Sequence, residues 1–331
     1  MKLNLGGMHH VTAITSSAKK IYDFYTNVLG LRLVKKTINQ DDINTYHLFF
    51  ADDLGSPGTD ITFFDFKGIN EAVHGTDEIS KTTFRVPNDE ALNYWLKRFK
   101  HYNVSHSNIE TLFNNKIIYF KDFDNQPYAL VSDELNKGVK AGKPWLKGPV
   151  PNEYAIYGLG PSFINVSKPD SMDSILTDVF FMRKTKTEDK HHLYEMGEGG
   201  NGGSIVVVED YKRLYSYQGY GGVHHIAFRV KNTDEINKWL EHLNRLGAPN
   251  SGYVDRFYFE SIYTRLYGNI LFEIATDEPG FIDDEESYEI LGETLALPPK
   301  FRDKREYVEN IVKPFDTTRS NKTFKKEYFN D

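Results

Sequence analysis

The chain has 331 residues, of which 39% are hydrophobic and 26% charged, so it can bury a sizeable core and is long enough for two domains. Its formal net charge of −7 argues against a nucleic acid or an anionic membrane as a partner. It contains no cysteine, which excludes disulfides, thiolate metal sites and a cysteine nucleophile. Any metal must therefore be bound by histidines and carboxylates.

The sequence shows no sign of a signal peptide or of a membrane-spanning segment. The N-terminal sequence MKLNLGGMHHVTAIT lacks the basic and apolar regions of a signal peptide. No run of apolar residues is long enough to span a bilayer. We therefore expect a cytoplasmic protein.

A short motif near the N-terminus returns in the last third of the chain. Residues 6–14 read GGMHHVTAI, and residues 221–230 read GGVHHIAFRV. Each motif is typical of a strand, and each is followed by a segment with helical periodicity that ends in Leu-Gly, at 18–30 and 233–247. This repetition indicates a fold built from copies of one unit.

Two weaker copies of this opening lie between the two strong ones. They are KTTFRV at 81–86 and PSFINV at 161–166, each followed by another segment of helical periodicity. After the helical segments come short runs rich in β-branched and aromatic residues, which predict strands. In the first unit these runs are LRLVKKTIN (31–39), YHLFFAD (46–52) and ITFFDF (61–66). The predicted unit is therefore β-α-β-β-β, present four times.

A segment rich in glycine and proline separates the second unit from the third. Residues 137–151 read KGVKAGKPWLKGPVP, a composition typical of a linker. We therefore predict an N-terminal domain at 1–140, a linker at 141–151 and a C-terminal domain at 152–276. The remaining residues, 277–331, form a charged extension in which the stretch FRDKREYVENIVKP is predicted to be helical.

Adjacent histidines are the clearest chemical signal in the sequence. Eleven histidines placed at random in 331 positions would give about 0.3 adjacent pairs, yet three pairs occur. Two of the pairs occupy equivalent positions of the repeat: His9-His10 and His224-His225. Because side chains alternate along a strand, we expect one histidine of each pair to face a cleft while its neighbour supports the wall.

Glu273 is the candidate for a third metal ligand. It lies in the apolar run ILFEIA, where a buried carboxylate must be paired, protonated or bound to a metal. The alternative is a salt bridge to Arg256 or Arg265. A gap-free alignment with the first unit places Phe64, rather than Asp65, opposite Glu273, so that no fourth protein ligand is expected. Two histidines and one carboxylate with open positions are typical of non-haem Fe(II) oxygenases.

Four such units with His10, His225 and Glu273 so placed resemble the vicinal oxygen chelate superfamily, and within it the extradiol-type dioxygenases that cleave hydroquinone rings. The resemblance depends on the motifs GMHHVTAIT, GVHHIAFRV, DRFYFESIYTRLYGNILFEIAT and LGETLALPPKFRDKREYVENI. It implies an α+β fold in which the four βαβββ modules pair into two open-barrel domains, followed by a C-terminal extension. It also implies a metal site shared between the first and last units.

The same resemblance assigns roles to individual residues. It makes His10, His225 and Glu273 the ligands of Fe(II), a metal that Mn, Zn or Ni could replace during purification. It places five further residues around the substrate: His9, Thr12, His224, Arg256 and Tyr263. The implied partners are a small aromatic molecule, either a hydroquinone or a catechol-like ring, and O2. A homo-oligomer is compatible with this reading, whereas a nucleic acid or a membrane is not.

Two other functions fit the same scaffold. A glyoxalase-type isomerase or lyase would use the metal as a Lewis acid and would usually have a fourth protein ligand. A non-catalytic protein that binds a drug or a quinone would characteristically lack the metal ligands. Because three ligands are present and a fourth is not expected, we predict an Fe(II)-dependent ring-cleaving dioxygenase.

Two further motifs carry no function in this interpretation. The third histidine pair, His191-His192, follows the charged run KTEDK and is predicted to be the solvated start of a strand. The glycine-rich run at 197–203 joins two predicted strands and does not open a helix. It therefore lacks the helix N-terminus of a phosphate-binding loop and is predicted to be a turn.

Overall fold

Each repeat of the sequence forms a β-α-β-β-β unit in the structure, a computed structural model that describes residues 3–211, 213–282 and 285–329. The first unit consists of β1 (Met8–Ile14), α1 (Ala18–Asp23), β2 (Arg32–Ile38), β3 (Tyr46–Ala51) and β4 (Asp60–Phe64). The second unit consists of β5 (Glu78–Val86), α2 (Asp89–His101), β6 (Glu110–Leu112), β7 (Asn115–Lys121) and β8 (Pro127–Ser132).

The second half of the chain repeats this order. The third unit consists of β9 (Ser162–Val166), α3 (Pro169–Ser174), β10 (Arg183–Glu188), β11 (His191–Glu195) and β12 (Ser204–Glu209). The fourth unit consists of β13 (Gly222–Val230), α4 (Thr233–Arg245), β14 (Val254–Asp255), β15 (Phe259–Tyr267) and β16 (Ile270–Pro279). The predicted fourfold repeat is confirmed.

The helices differ in length between alternate units. Helices α2 and α4 have 13 residues each, and each is capped by an asparagine, Asn88 or Asn232, whose side chain accepts a hydrogen bond from the first turn. They bury equivalent faces, which comprise Leu92, Trp95 and Phe99 in α2 and Ile236, Trp239 and Leu243 in α4. Helices α1 and α3 are short, and each continues into a π-helical turn, at Phe24–Val28 and Ile175–Val179.

The strands form two curled eight-stranded sheets. In the first, the order is β14-β15-β16-β13-β1-β4-β3-β2, so the fourth unit pairs with the first through antiparallel β13 and β1. In the second, the order is β10-β11-β12-β9-β5-β8-β7-β6, which pairs the third unit with the second. The α+β fold with paired modules is confirmed. Each sheet takes strands from both sides of residues 141–151, and the division of the chain into domains there stays a prediction.

One hydrophobic core joins the two sheets and their helices. The largest cluster of buried apolar residues contains members from all four units. Tyr25 of the first unit, for example, lies 4.9 Å from Phe50 of its own sheet and 6.2 Å from Phe84 of the second, measured between ring centres. The two sheets are therefore packed against each other and hold their concave faces in fixed positions.

The C-terminal extension packs along the outer strand of the first sheet. It contains a 3-10 turn at Pro299–Lys304 and helix α5 (Arg305–Ile311), so the predicted helix is confirmed over part of its length. Gly292 has a φ of +75° and lies so close to β2 that a Cβ atom there would be 2.3 Å from the carbonyl oxygen of Leu33. Within the described residues, no helix is both long and apolar enough to cross a membrane.

Candidate metal centre

The two histidine pairs lie on neighbouring strands in the middle of the first sheet. The pairing of β1 with β13 shifts register between Met8 and Val11 and again between Thr12 and Ala13, so that each strand has an extra residue at its histidine pair. Such bulges redirect side chains and occur next to functional sites. Regular pairing of the two strands is therefore interrupted at the histidine pairs.

The bulges bring three buried side chains together. Nε2 of His10 lies 3.2 Å from Nε2 of His225 and 3.1 Å from Oε2 of Glu273. Nε2 of His225 lies 2.9 Å from the same carboxylate oxygen. All three residues are shielded from solvent, and together they form a cluster that could hold a metal ion. Units one and four both contribute to it, as the resemblance implies.

The alternative in which Glu273 forms a salt bridge with an arginine is wrong. Arg256 instead donates two hydrogen bonds to Asp41, over 3.1 and 2.9 Å. Arg265 donates to a backbone carbonyl oxygen over 2.7 Å. The second carboxylate oxygen of Glu273, Oε1, accepts a hydrogen bond of 2.5 Å from the hydroxyl of Ser261. The carboxylate is thus held by Ser261 on one side and faces the two histidines on the other.

The chemistry of these donors fits a divalent cation. Oε2 of Glu273 is buried and accepts no aligned hydrogen bond among the described residues, although two ring nitrogens lie close to it. Leaving a carboxylate oxygen buried in this way is unfavourable unless an ion neutralises it. Two imidazole nitrogens and one carboxylate form a donor set that Fe(II), Mn(II) and Zn(II) accept. The site therefore suits the metal that the sequence predicts.

His9 determines which nitrogen of His10 can bind a metal. Nε2 of His9 lies 2.9 Å from the carbonyl oxygen of Thr276, which can only accept, so this nitrogen carries the proton. Nδ1 of His9 must then accept from Nδ1 of His10, which is 2.9 Å away. Nε2 of His10, which faces the other two ligands, is then the nitrogen that is available to bind a metal ion.

The second pair repeats this arrangement. Nδ1 of His224 lies 2.7 Å from Nδ1 of His225, so each ligand histidine is supported by the residue that precedes it. Burial, followed by the neighbouring histidine, lowers the pKa of His9 and that of His224 to about 3. Both supporting rings are therefore neutral, as an acceptor of an N–H group must be.

Glu273 stays ionised in spite of its burial. Removal from water by itself raises the pKa of a carboxyl group, but positive charge at the facing ring nitrogens of His10 and His225, from protons or from a metal ion that replaces them, holds the pKa of Glu273 well below its usual range. The site therefore offers one negative charge and two neutral nitrogens to a cation. An ion bound there would be only partly neutralised and could attract an ionised oxygen of a substrate.

Replacement of His9 by Phe tests the role of the supporting histidines. Nδ1–H of His10 would lose its acceptor, so we expect the affinity for Fe(II) or Mn(II) to fall about 10–100-fold while the fold is kept. Competition with a metal chelator measures this change. The replacement of His101 by Phe, on an exposed position of α2, is the matched control. An unchanged affinity in the His9 variant would show that His9 does not orient its neighbour.

A cavity of about 580 Å³ opens beside the metal ligands. Its apolar walls are formed largely by Phe49, Phe64, Phe66, Tyr258, Phe259 and Leu271. Polar groups come from three directions, namely His47 of β3, His224 of β13, and Arg256 with Tyr263 near β15. This volume and this mixture of walls suit a single substituted aromatic ring.

The residues expected around the substrate fall into two groups. Three of them line the cavity: His224, Arg256 and Tyr263. His9 lies behind His10, and Thr12 is buried with its hydroxyl oxygen 2.8 Å from that of Thr62. Both are therefore placed to support the site rather than to face its cavity. The roles of all five in substrate binding stay predictions.

Tyr263 and Arg256 form a linked pair on one wall of the cavity. Nε of Arg256 donates to the hydroxyl oxygen of Tyr263 over 3.1 Å. Burial, followed by the charge of Glu273, raises the pKa of Tyr263 well above its usual range. The phenol is therefore protonated at neutral pH and keeps an O–H group that it can donate to an oxygen atom of a ligand.

The counterpart of Glu273 in the first unit is Thr62, and the gap-free alignment that predicts Phe64 there is wrong. Strand β4 runs parallel to β1 with Thr62 beside Thr12, and β16 runs parallel to β13 with Glu273 beside Ala227. Thr12 and Ala227 occupy the same place relative to the ligand histidine of their strand. The fourth position of the site therefore carries a hydroxyl group.

Sequence reasoning missed His47, which also faces the cavity. Its Nε2 lies 2.8 Å from the hydroxyl oxygen of Thr62, and its ring centre is 4.0 Å from that of Phe49 and 4.5 Å from that of Phe64. Burial, followed by the nearby histidines, holds its pKa well below the usual range. A histidine inside the apolar run YHLFFA of a repeat with a metal site is a signal that could have identified it.

The second sheet does not repeat the metal site in the part of the chain that the structure describes. The alignment of the units is fixed by two equivalent ion pairs, Arg85 with Asp133 and Arg229 with Asp277. In this alignment, the positions of His225, His10 and Glu273 are occupied in the second sheet by Lys81, Pro161 and Ala129, and the position of Thr62 is occupied by Val206. None of these side chains is a usual ligand for a divalent metal.

The two motifs that were assigned no function lie in the third unit. His191 begins β11, as predicted, but the expectation of a solvated pair is wrong for His192, which is buried with Nε2 2.7 Å from Glu209. One carboxylate and one histidine satisfy each other there. The glycine-rich run at 197–203 connects β11 to β12 and is a turn, as predicted.

Similarity to known proteins agrees with this site. Residues 7–126 match the sequence model of the "Glyoxalase/Bleomycin resistance protein/Dioxygenase superfamily". "Putative ring-cleaving dioxygenase MhqA" of Bacillus subtilis is 40% identical over 319 residues, which are 95% of this chain and 99% of that protein. The chain belongs to this superfamily. Within it, the chain is a member of the ring-cleaving dioxygenase group of enzymes, as the sequence motifs predict.

Other relatives extend this assignment. "Chlorohydroquinone/hydroquinone 1,2-dioxygenase" of Sphingobium indicum is 30% identical over 306 residues, which cover 89% of this chain and 92% of that protein. A crystal structure of a "putative dioxygenase" from Bacillus subtilis superimposes with a TM-score of 0.87 at 34% identity and covers 96% of this chain and 99% of that one. Glyoxalase I of Zea mays, with a TM-score of 0.58 at 11% identity over 82% of this chain and 92% of its own, shares the fold. The predicted vicinal oxygen chelate fold is confirmed.

Proposed function

We propose that this enzyme is an Fe(II)-dependent, extradiol-type dioxygenase that cleaves the ring of a hydroquinone or a catechol-like aromatic. The observation that carries the proposal is the meeting of His10, His225 and Glu273 beside a cavity with aromatic walls. The relative named as a hydroquinone dioxygenase supports the choice of a hydroquinone. A cytoplasmic location, and an aromatic molecule and O2 as partners, belong to the same proposal.

The metal ligands, the apolar walls and the polar groups of the cavity have different roles in this reaction. Iron(II) held by the three ligands would supply the Lewis acidity and the redox chemistry that the reaction of a ring with O2 requires. The apolar walls, among them Phe259, whose ring centre is 5.2 Å from that of His10, exclude water and orient the ring. Arg256 and Tyr263 supply N–H and O–H groups to the oxygen atoms of the substrate.

Oxygen uptake tests this proposal. Protein purified and loaded with Fe(II) under nitrogen is mixed with aerobic solutions of hydroquinone, methylhydroquinone, chlorohydroquinone or catechol. We expect about one O2 consumed per ring cleaved with at least one of these compounds, because a dioxygenase incorporates both oxygen atoms. Protein loaded with Zn(II), which has no redox chemistry, is the control and should consume none.

The outcomes separate the three candidate functions. No uptake by fully Fe(II)-loaded protein with any of these rings would contradict the proposal. Turnover of a hemithioacetal without O2 would then indicate the glyoxalase-type isomerase or lyase. Tight binding of a quinone or a drug with no turnover of either kind would indicate a sequestering protein.

A further inference from the structure

The loop that follows β2 forms one side of the cavity mouth. Its residues 39–42 all line the cavity. The loop is fixed by its own hydrogen bonds: the backbone N–H of Asn39 donates to the carbonyl of Thr45 over 2.8 Å, and the hydroxyl of Thr45 donates to the carboxylate of Asp42 over 2.8 Å. The position of Asp41 at the mouth is therefore set by a structured turn.

Asp41 forms an ion pair with the guanidinium group of Arg256. Nη1 and Nη2 of the guanidinium donate to the two carboxylate oxygens over 3.1 and 2.9 Å, and Nε donates to Tyr263. The side chain of Arg256 is 17% exposed, whereas that of Asp41 is 72% exposed. The arginine thus faces the cavity and the aspartate faces solvent, and the three guanidinium nitrogens are all engaged.

The charged side chains at the cavity mouth disfavour a ligand that carries a carboxylate there. The lysines, arginines and acidic residues among the described lining residues are Asp41, Asp42 and Arg256, which sum to −1, whereas Fe(II) with Glu273 would contribute +1 at the metal ligands. Of these side chains, the one positive group is already paired with Asp41. A carboxylate on the ring of a ligand would therefore have to displace Asp41 from Arg256 or lie near two aspartates. A hydroxyl, methyl or halogen substituent would meet no such repulsion.

We propose that Asp41 sets the charge selectivity of this site, so that uncharged aromatic diols enter and diols that carry a ring carboxylate are rejected. This inference rests on the proposed function, because it names which diols that site accepts. Asp41 is a selectivity residue in this account. It acts through Arg256 and through its own charge, and it takes no part in the reaction itself.

Calorimetry under nitrogen, with Fe(II)-loaded protein, tests the inference without turnover. The probes are hydroquinone and 2,5-dihydroxybenzoate, which differ by one carboxylate. We expect the wild type to bind hydroquinone at least about tenfold more tightly. In Asp41→Asn the ratio of the two dissociation constants should fall at least about tenfold, because Arg256 becomes available to the carboxylate.

Two further variants make the result specific. Asp41→Glu keeps the charge and should retain the discrimination of the wild type. Glu90→Gln changes the net charge equally on the exposed N-terminal turn of α2, in the second sheet, and should leave the ratio unchanged. If Asp41→Asn does not fold, the wild type and Asp41→Glu are both measured in high salt instead. Screening of the charge at position 41 should then reduce the ratio of the two dissociation constants in both proteins.

Each outcome of the calorimetry either supports or overturns the role proposed for Asp41. Wild-type discrimination that persists in Asp41→Asn, or a wild type that binds both diols equally, overturns the role of Asp41 while leaving the dioxygenase proposal intact. A wild type that binds neither diol and consumes no O2 overturns both. A narrowed ratio in Asp41→Asn together with an unchanged ratio in Glu90→Gln supports the inference.

Discussion

Replacement of Glu273 by Gln is expected to reduce bound Fe(II) from about one ion per chain to a trace and to abolish oxygen uptake. Glutamine has the same shape and can still accept the hydrogen bond from Ser261, but it removes the only charge among the ligands. We expect affinity to fall by more than the roughly 100-fold that the loss of a residue supporting a ligand can cause. Iron analysis after anaerobic loading and desalting measures this change.

A matched variant controls for the substitution itself. Glu260 lies on the neighbouring strand β15, where its carboxylate accepts a hydrogen bond from Thr233, away from the metal ligands. Glu260→Gln should keep both iron and activity. If Glu273→Gln retained iron and turned over substrate as the wild type does, Glu273 would be a structural residue and the three-ligand site would be wrong.

Replacement of Lys35 by Met is expected to lower the free energy of unfolding by about 3–5 kcal/mol. Nζ of Lys35 lies 2.8 Å from Oε2 of Glu286, and both side chains are completely buried. The pair joins β2 to the C-terminal extension. Removing the lysine breaks this buried ion pair, while the carboxylate of Glu286 still accepts hydrogen bonds from Thr294 and interacts with the charge of Lys36. Unfolding in denaturant measures the change.

Two comparisons show whether burial is the cause. Lys19→Met removes an exposed lysine that pairs with Asp23 on α1, and it should cost less than about 1 kcal/mol. The double variant Lys35→Met/Glu286→Gln removes both charges and should recover much of the lost stability. Equal destabilisation by Lys35→Met and Lys19→Met would mean that the buried pair contributes no more than a surface pair.

The repeat, the metal ligands and most strands could be predicted from local patterns. The two copies of the Gly-Gly-x-His-His motif mark equivalent positions without any knowledge of the fold. Glu273 is recognisable because a charged residue interrupts an apolar strand. Both signals are contained within about ten residues of chain, which is why they survive in a single sequence.

Three strands are predicted only by analogy with the first unit, because no run rich in β-branched and aromatic residues marks them, and they lie at sheet edges. β6, β10 and β14 occupy three of the four edges of the two sheets. All six residues of β10, RKTKTE, are exposed, and charged residues are a usual protection of an edge against further pairing. Such a strand lacks the alternation of apolar and polar residues by which strands are recognised, because its side chains are not buried.

Contacts between distant segments could not be predicted. The pairing of β1 with β13 joins residues more than 200 positions apart and introduces the bulges at both histidine pairs. The position of Thr62 opposite Thr12 depends on the register of β4, which a gap-free alignment of two strands does not determine. The contact of Asp41 with Arg256 likewise exists only because the first and fourth units share a sheet.

A single turnover under ¹⁸O2 tests ring cleavage most directly. Fe(II)-loaded protein is mixed under nitrogen with the diol that gave oxygen uptake, exposed to ¹⁸O2 and quenched, and the product is analysed by mass spectrometry. We predict a ring-opened acid that contains both labelled oxygen atoms, apart from any aldehyde oxygen exchanged with water. An intact ring without label, such as a quinone formed while O2 is reduced to hydrogen peroxide, would contradict assignment of this enzyme as a ring-cleaving dioxygenase.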